Sequence, residues 1–289
     1  MGAANVIPGV SGGTIALITG IYERLINAIK SFDLNAAKLL LQRQWRTFWT
    51  VTDSTFLLAL FAGIGVSIIS LAKLLEYLLE SRETLTMAFF FGLILVSIYF
   101  VGKTVRKWTA SVYAMLLIGA VIAAGIAFLA PASENSSFLY VFLCGIVAMC
   151  SMILPGLSGS FVLIIMGNYA LILAAIGSAD LSILLPLALG CVFGMIAFSH
   201  LLSWIFKHYH DQTIAMMTGF IAGSLLVIWP WKNTLTEMIA REGKPAKEVV
   251  TGYQWYLPSI TDNQTLLAAG IAVLGGLALF AMEKVAAKN

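Results

Sequence analysis

The chain carries very little charge. Asp, Glu, Lys and Arg together make up 11% of its 289 residues, whereas hydrophobic residues make up 60%. Soluble domains carry about 25% charged and about 45–50% apolar residues, so this composition excludes an ordinary soluble domain and indicates an integral membrane protein. The formal net charge of +3 is too small and too scattered to indicate a nucleic-acid partner.

The residues that build metal, redox and nucleotide sites are also scarce. The three cysteines, Cys144, Cys150 and Cys191, lie in apolar runs without the spacing of a metal or redox motif, so no metal site and no cofactor is expected. No Walker A sequence occurs, and no loop is large enough for a nucleotide-binding domain. The first 22 residues lack the basic segment that opens a cleaved signal peptide. The sequence therefore favours a membrane protein that works without ATP.

Long apolar runs dominate what is present. Six of them reach the roughly 20 helical residues needed to cross about 30 Å of hydrocarbon. They cover residues 55–79, 84–101, 109–130, 181–206, 213–231 and 264–283. Two further apolar stretches, 1–29 and 138–176, are interrupted by proline and glycine, which is typical of re-entrant helical hairpins. The expected fold is an all-α integral membrane protein in which each half has one re-entrant hairpin and three transmembrane helices.

The basic residues predict which ends face the cytoplasm, because lysine and arginine favour short cytoplasmic loops. With the first hairpin on the cytoplasmic face, the inner segments hold Lys30, Lys38, Arg43, Arg46, Lys103, Arg106, Lys107, Lys207, Lys284 and Lys288. The short outer loops 80–83, 131–137 and 177–180 together hold one basic residue, and the long outer loop 232–263 is neutral. We therefore expect a cytoplasmic C-terminus, and a helix over 31–54 in the inner headgroup layer.

The chain also contains an internal repeat. The run Ile7-Pro8-Gly9-Val10-Ser11-Gly12-Gly13-Thr14 returns 147 positions later as Leu154-Pro155-Gly156-Leu157-Ser158-Gly159-Ser160-Phe161. Further matches at this offset are the pairs Gly20 and Gly167, Tyr22 and Tyr169, and Ile29 and Ile176. After a length difference, Gly92 and Ser97 match Gly219 and Ser224. Because three predicted crossings separate the two hairpins, the halves 1–136 and 137–289 are expected to have inverted topologies.

The repeated element has the features of an anion site. Proline and glycine stop one limb of each hairpin, and Ser11 or Ser158 stands where an N-cap opens the returning helix. Helix N-termini present unpaired N–H groups and about half a positive charge. The predicted anion-binding residues are Ser11, Gly12, Gly13, Thr14, Ser158, Gly159 and Ser160. Such Gly-Ser patches can also serve only close helix packing, but the duplication with proline at the same place favours a shared site.

Few ionisable side chains are expected far from the membrane surfaces. Glu23 and Arg24 come about three helical turns after the first break, near an interface, where they are candidates for contact with a ligand head group or a coupling ion. His200 is the only titratable group expected well inside, either as a hydrogen-bonded packing residue or as a relay. An anion bound at depth would therefore be held mainly by backbone N–H groups and hydroxyls.

At these residues the chain resembles the polyprenyl-phosphate transporter family (PopT) of bacterial membranes. The matching runs are Gly2 to Thr14, Gly20 to Glu23, Phe89 to Leu95, Pro155 to Ser160, and Trp229 to Trp231. The resemblance implies transport of undecaprenyl phosphate, the lipid carrier of cell-wall precursors, from the outer to the inner leaflet of the cytoplasmic membrane for reuse. It places the functional residues, as phosphate ligands, on the two Pro-Gly-x-Ser-Gly elements. Only seven residues precede Pro8, so the first hairpin is abbreviated or the native chain begins further upstream.

The physical requirements of that substrate agree with the pattern. A phosphate monoester carries about −1.5 to −2 charges at pH 7, and its passage through hydrocarbon is prohibitive unless the head is sheltered. The polyprenyl tail prefers lipid, so a polar midplane site that opens sideways and is reached alternately from each leaflet would serve. Energy would come from an ion gradient, with a proton or sodium as the coupling ion, or from consumption of the lipid inside.

Other interpretations remain open at this stage. A carrier or channel for small inorganic anions would use the same helix N-termini. Gly156-Leu157-Ser158-Gly159 together with His200 resembles the serine–histidine dyad of rhomboid intramembrane proteases, in which the two side chains lie within about 3 Å. A structural scaffold is a third alternative, but it would not need two polar breaks. The sequence leaves the oligomeric state undetermined.

Overall fold

The computed structural model describes residues 1–2, 11–129, 131–241, 244–259 and 262–286. The Pro8-Gly9 break and Lys288 lie outside these residues. Ahead of the long helices, the first part of the chain forms α1 (Gly12–Ile18), α2 (Tyr22–Lys30), α3 (Leu34–Leu41) and α4 (Trp45–Val51). The rest forms α5 (Ser54–Gly102), α6 (Ala110–Ile126), α7 (Phe138–Ile153), α8 (Gly159–Ile165), α9 (Tyr169–Ser178), α10 (Leu181–His208), α11 (His210–Ile228), β1 (Lys232–Arg241), β2 (Lys244–Trp255) and α12 (Asn263–Ala286).

The six apolar runs are helical, as the sequence predicts. Helix α5 contains two of them and is broken at Arg82, whose φ of −146° and ψ of 47° are not helical. Five segments in the described part of the chain are long and apolar enough to cross a membrane. The remaining run, α6, is equally apolar in composition but has 17 residues. The protein is therefore a multi-pass helical membrane protein.

Helix α11 lies at the centre of the packing. It contacts α6 and the second half of α5, α12 packs on α5, and α10 packs on α7. Small residues allow these contacts: a Cβ added to Gly219 of α11 would lie 2.1 Å from the Leu116 carbonyl oxygen of α6. In lipid, helices associate through such close van der Waals packing rather than through the hydrophobic effect. A central helix held by glycine contacts can therefore position a polar element at depth.

The repeat seen in the sequence returns in the local structure. In both copies a serine precedes a helix of seven residues, α1 or α8, and a glycine with positive φ follows it: Gly20 at 70° and Gly167 at 73°. Glycine adopts this left-handed conformation without the steric penalty of a Cβ. Each copy then opens a second helix, α2 or α9, at the matching tyrosine, Tyr22 or Tyr169.

Three segments differ from the sequence-based expectation. Residues 31–54 form two helices, α3 and α4, because Arg43 between them has a left-handed φ of 57°. The stretch 138–176 contains three helices rather than two limbs, since α9 bends away from α8 by 110° after Gly167. The stretch 232–263, predicted as an outer loop, contains an antiparallel hairpin, β1 paired with β2, which hydropathy does not reveal because strand pairing depends on the partner strand.

Candidate functional site

The second Pro-Gly element is the tip of a helical hairpin formed by α7 and α8. The helices pack on each other, and Gly159 approaches α7 so closely that an added Cβ would lie 2.8 Å from the Ala148 carbonyl oxygen. At the open end, the Tyr140 hydroxyl donates to the Met166 carbonyl at 2.9 Å. The tip itself rests on the middle of α11, where an added Cβ on Gly156 would lie 2.6 Å from Phe220 backbone atoms.

The first element contacts this tip directly. The Thr14 hydroxyl accepts a hydrogen bond from the Gly156 amide at 3.0 Å, and the Ser11 hydroxyl donates to the Leu154 carbonyl at 3.4 Å. The Tyr22 hydroxyl donates to the Ile153 carbonyl at 2.9 Å. These three hydrogen bonds, which we call the clasp, join residues more than 130 positions apart. The two repeated elements therefore meet inside the bundle.

Helix polarity favours the same contact. The N-terminus of α1, with its partial positive charge, faces the C-terminal carbonyls of α7, which carry partial negative charge. Ser11 caps α1 by accepting from the Gly13 amide at 3.1 Å while donating to Leu154. Thr14 is fully buried and Ser11 is almost so. In this conformation the hydroxyls of the first element are occupied by the protein itself.

The second element is more open than the first. The Ser158 and Ser160 hydroxyls hydrogen-bond each other at 2.9 Å, and Ser160 is exposed, whereas Gly12, Gly13 and Gly159 are buried. Ser158 occupies the N-cap of α8 in the expected extended conformation, but its side chain does not cap the helix. The structure thus brings all seven predicted anion-binding residues to one region and leaves the Ser158–Ser160 pair as its accessible part.

The three predicted ionisable candidates have different surroundings. Arg24 forms an ion pair with Asp53 at 2.6 Å and lies 4.4 Å above the Phe56 ring, which ties α2 to the start of α5. Glu23 lies 3.3 Å from the Nε2 atom of His210. Glu23 also borders a cavity, which is described below.

His200 makes a local hydrogen bond, as a packing residue would. Its Nδ1 atom is 2.9 Å from the Ile196 carbonyl of its own helix. The pKa of the Asp33 carboxyl, at the N-cap of α3, is lowered mainly by the Ala36 amide and to a lesser degree by His200. His200 is half-buried, and its depth relative to the membrane surfaces stays a prediction.

The serine–histidine dyad is not assembled. Ser158 bonds Ser160, and His200 bonds Ile196, so within the described residues neither side chain makes the hydrogen bond that a dyad requires. The described part of the chain contains no cluster of three or more His, Cys, Asp or Glu side chains that could hold a metal ion.

Sequence reasoning missed a second polar group of residues. A cavity of about 300 Å³ lies between α2 and α10, lined by Glu23, Ile26, Asn27, Ser203, Phe206 and Lys207. Lys30 and His210 contact its lining residues. The spacing 23, 27 and 30 places three polar side chains on one face of α2, a signal that was present in the sequence. The α10 partners, about 175 positions away, had no such signal.

Comparison with known proteins shows what the chain is similar to. Residues 1–246 match the family described as Undecaprenyl phosphate translocase-like. A Vibrio cholerae protein named Polyprenyl-phosphate transporter is 38% identical over 291 residues, covering 100% of this chain and 94% of that protein. A Staphylococcus aureus protein with the same name is 32% identical over 248 residues, covering 80% of this chain and 83% of that protein. No solved structure matches the chain.

Proposed function

Because this chain belongs to the Undecaprenyl phosphate translocase-like family, we propose that it moves undecaprenyl phosphate across the bacterial cytoplasmic membrane. Net movement is from the outer to the inner leaflet, so that the lipid carrier is reused in cell-envelope synthesis. The names of the two relatives support a polyprenyl phosphate as the substrate class. No enzymatic step is part of this proposal.

The observation that carries the mechanism is the meeting of the two repeated elements at the clasp. If the halves have inverted topologies, the two elements enter from opposite faces, and their contact lies between the two leaflets. Basic residues gather at one end of the bundle, which supports this orientation. Lys30 bonds Ser203 near Lys207, and the backbone amides of Arg106 and Lys107 donate to Asp211 at the same end. We assign this end, and the C-terminus, to the cytoplasm.

The clasp supports a partner-exchange mechanism. The Ser11 and Thr14 hydroxyls and the Gly156 amide, which hold the elements together here, are groups that also bind phosphate oxygens. When the elements separate, these groups join Ser158 and Ser160 around the phosphate head, while the polyprenyl tail stays in lipid. Rocking of the halves then opens the site to one leaflet at a time. A proton or sodium gradient, or consumption of the lipid inside, drives the cycle.

A small-anion carrier is the competing function, since helix N-termini would bind inorganic phosphate equally well. Proteoliposomes containing the purified protein distinguish the two. We expect leaflet exchange of a labelled polyprenyl phosphate and no accumulation of inorganic phosphate. Accumulation of inorganic phosphate without lipid exchange would contradict the proposal.

The site is tested by the double variant Ser158→Ala and Ser160→Ala. Hydrogen bonds to a charged group are worth about 1.5–3 kcal/mol each, so losing both should slow lipid exchange at least about tenfold. Ser178→Ala is the matched control, because Ser178 is exposed and its hydroxyl bonds the Ala174 carbonyl of its own helix. If the folded double variant exchanged lipid at the wild-type rate, these two hydroxyls would not be phosphate ligands.

A further inference from the structure

The cavity between α2 and α10 is separate from the clasp. Phe206 forms part of its wall, and the Tyr22 ring packs on Phe206 with centroids 5.9 Å apart. The Tyr22 hydroxyl reaches the Ile153 carbonyl at the clasp. Two buried aromatic rings therefore lie between the cavity and the repeated elements: Phe206 borders the cavity, and Tyr22 reaches the clasp.

Polar side chains in and beside the cavity form a connected set. Lys30 donates to the Ser203 hydroxyl at 3.2 Å, and Ser203 donates to the Asn27 side-chain oxygen at 3.1 Å. This geometry leaves the lysine with two further N–H donors, and it directs the Asn27 amide NH₂ away from Ser203. Lys207 borders the same space. The ammonium and amide groups on these facing helices are a donor set for an oxyanion.

Charged side chains of both signs surround the cavity. Lys30 and Lys207 contribute two positive charges. The Glu23 carboxylate contributes one negative charge and lies beside His210, whose other nitrogen lies beside Asp211. The Asp211 carboxylate adds a second negative charge and accepts hydrogen bonds from the Arg106 and Lys107 backbone amides. The volume of about 300 Å³ equals that of about ten liquid waters, enough for a hydrated phosphate.

We infer that this cavity is a docking site for a phosphate monoester, one aromatic layer away from the clasp, with Lys30, Lys207 and Asn27 as its ligands and with Ser203 holding Lys30 and Asn27 in place. The inference rests on the proposed function and adds to it a second binding site for the phosphate head, at the basic end of the bundle. Glu23 limits how tightly the anion is held, so that the site releases the head. In this conformation the Tyr22–Phe206 pair separates the docking site from the clasp.

Binding to the full-length protein in detergent tests the site without relying on transport. The probes are inorganic phosphate and a short-chain isoprenyl phosphate, followed by ³¹P NMR titration. We expect Lys30→Gln with Lys207→Gln to weaken binding about tenfold or more, and Glu23→Gln to strengthen it about three- to tenfold. Lys38→Gln is the control, because Lys38 is exposed on α3 and does not border the cavity.

The two probes separate the sources of the phosphate. Equal affinities would assign the cavity to the phosphate group itself, and stronger binding of the isoprenyl phosphate would assign it to the lipid. Affinities that are the same in wild type, the double lysine variant and Glu23→Gln would overturn the inference.

Transport kinetics separate this inference from the proposed function. Loss of the docking site should raise the lipid concentration needed for half-maximal exchange several-fold and leave the maximal rate nearly unchanged. Loss of Ser158 and Ser160 should lower the maximal rate. Wild-type kinetics in the double lysine variant would reject the docking site alone, whereas absence of lipid exchange by the wild type would reject the proposed function.

Discussion

Replacing Thr14 by valine tests whether the two repeated elements are joined as the structure shows. Valine has nearly the shape of threonine but lacks the hydroxyl, so the substitution removes one acceptor and little else. Thr14 is fully buried, and its hydroxyl accepts from the Gly156 amide at 3.0 Å. The variant therefore leaves a buried amide without this partner.

The expected cost follows from the surroundings of Gly156. A buried donor that loses its acceptor costs about 1–3 kcal/mol. Gly156 cannot easily shift to find another acceptor, because its turn lies against the Phe220 and Ile221 backbone of α11. We expect about 2 kcal/mol, which is about a 30-fold change in the unfolding equilibrium.

Unfolding of the purified protein in mixed micelles, titrated with a denaturing detergent, measures this change. Thr19→Val is the matched control at the C-cap of the same helix: Thr19 is exposed, and its hydroxyl donates to the Ile15 carbonyl. The control should stay within about 0.5 kcal/mol of wild type.

A double-mutant cycle with Tyr22→Phe extends the test to the second hydrogen bond of the clasp. If the clasp acts as a unit, the coupling energy should be at least about 0.5 kcal/mol. Equal stability of Thr14→Val, Thr19→Val and wild type would refute the clasp and the mechanism built on it.

Two further substitutions give distinct outcomes. Gly156→Ala should lower the thermal unfolding temperature and slow lipid exchange, because Gly156 has a φ of 81° and an added Cβ would meet Phe220. The control Gly125→Ala in α6 should be neutral or stabilising, because nothing lies within 4 Å of the added Cβ. Equal effects of the two substitutions would contradict this packing. Burial lowers the pKa of Lys232 to about 8, against a smaller opposing effect of Glu83, so its protonation opposes folding. The unfolded amine protonates first as pH falls below about 10.5, so this group's destabilisation grows from about pH 10.5 to about 8 and then levels off. The stability difference between Lys232→Met and wild type, measured by denaturant titration, should therefore be larger at pH 8 than at pH 10, and a pH-independent difference would contradict the shift.

Local signals explain why part of the site could be predicted from the sequence. The Ser11 and Ser158 N-caps and the turns at Gly20 and Gly167 are properties of a few consecutive residues, so the copied sequence predicts a copied conformation. Apolar runs of about 20 residues likewise permit little besides helix in lipid, because every backbone polar group needs an internal partner. The family resemblance at the two elements depends on the same residues.

The remaining features depend on residues that are distant in the chain. Nothing in the neighbourhood of Thr14 indicates that its partner is Gly156, 142 positions away. The cavity combines α2 with α10, whose facing polar residues are about 175 positions apart. Helix packing, through close contacts such as Gly219 on α6, determines these neighbours.

The sequence by itself determined that this is a helical membrane protein with a duplicated, helix-breaking, hydroxyl-bearing element, because composition, run length and turn chemistry are local properties. Tertiary structure decided that the two copies bond each other and that one of them is more open than the other. It also decided that a polar cavity lies beside them, since the packing of the helices determines the hydrogen-bond partners across a bundle.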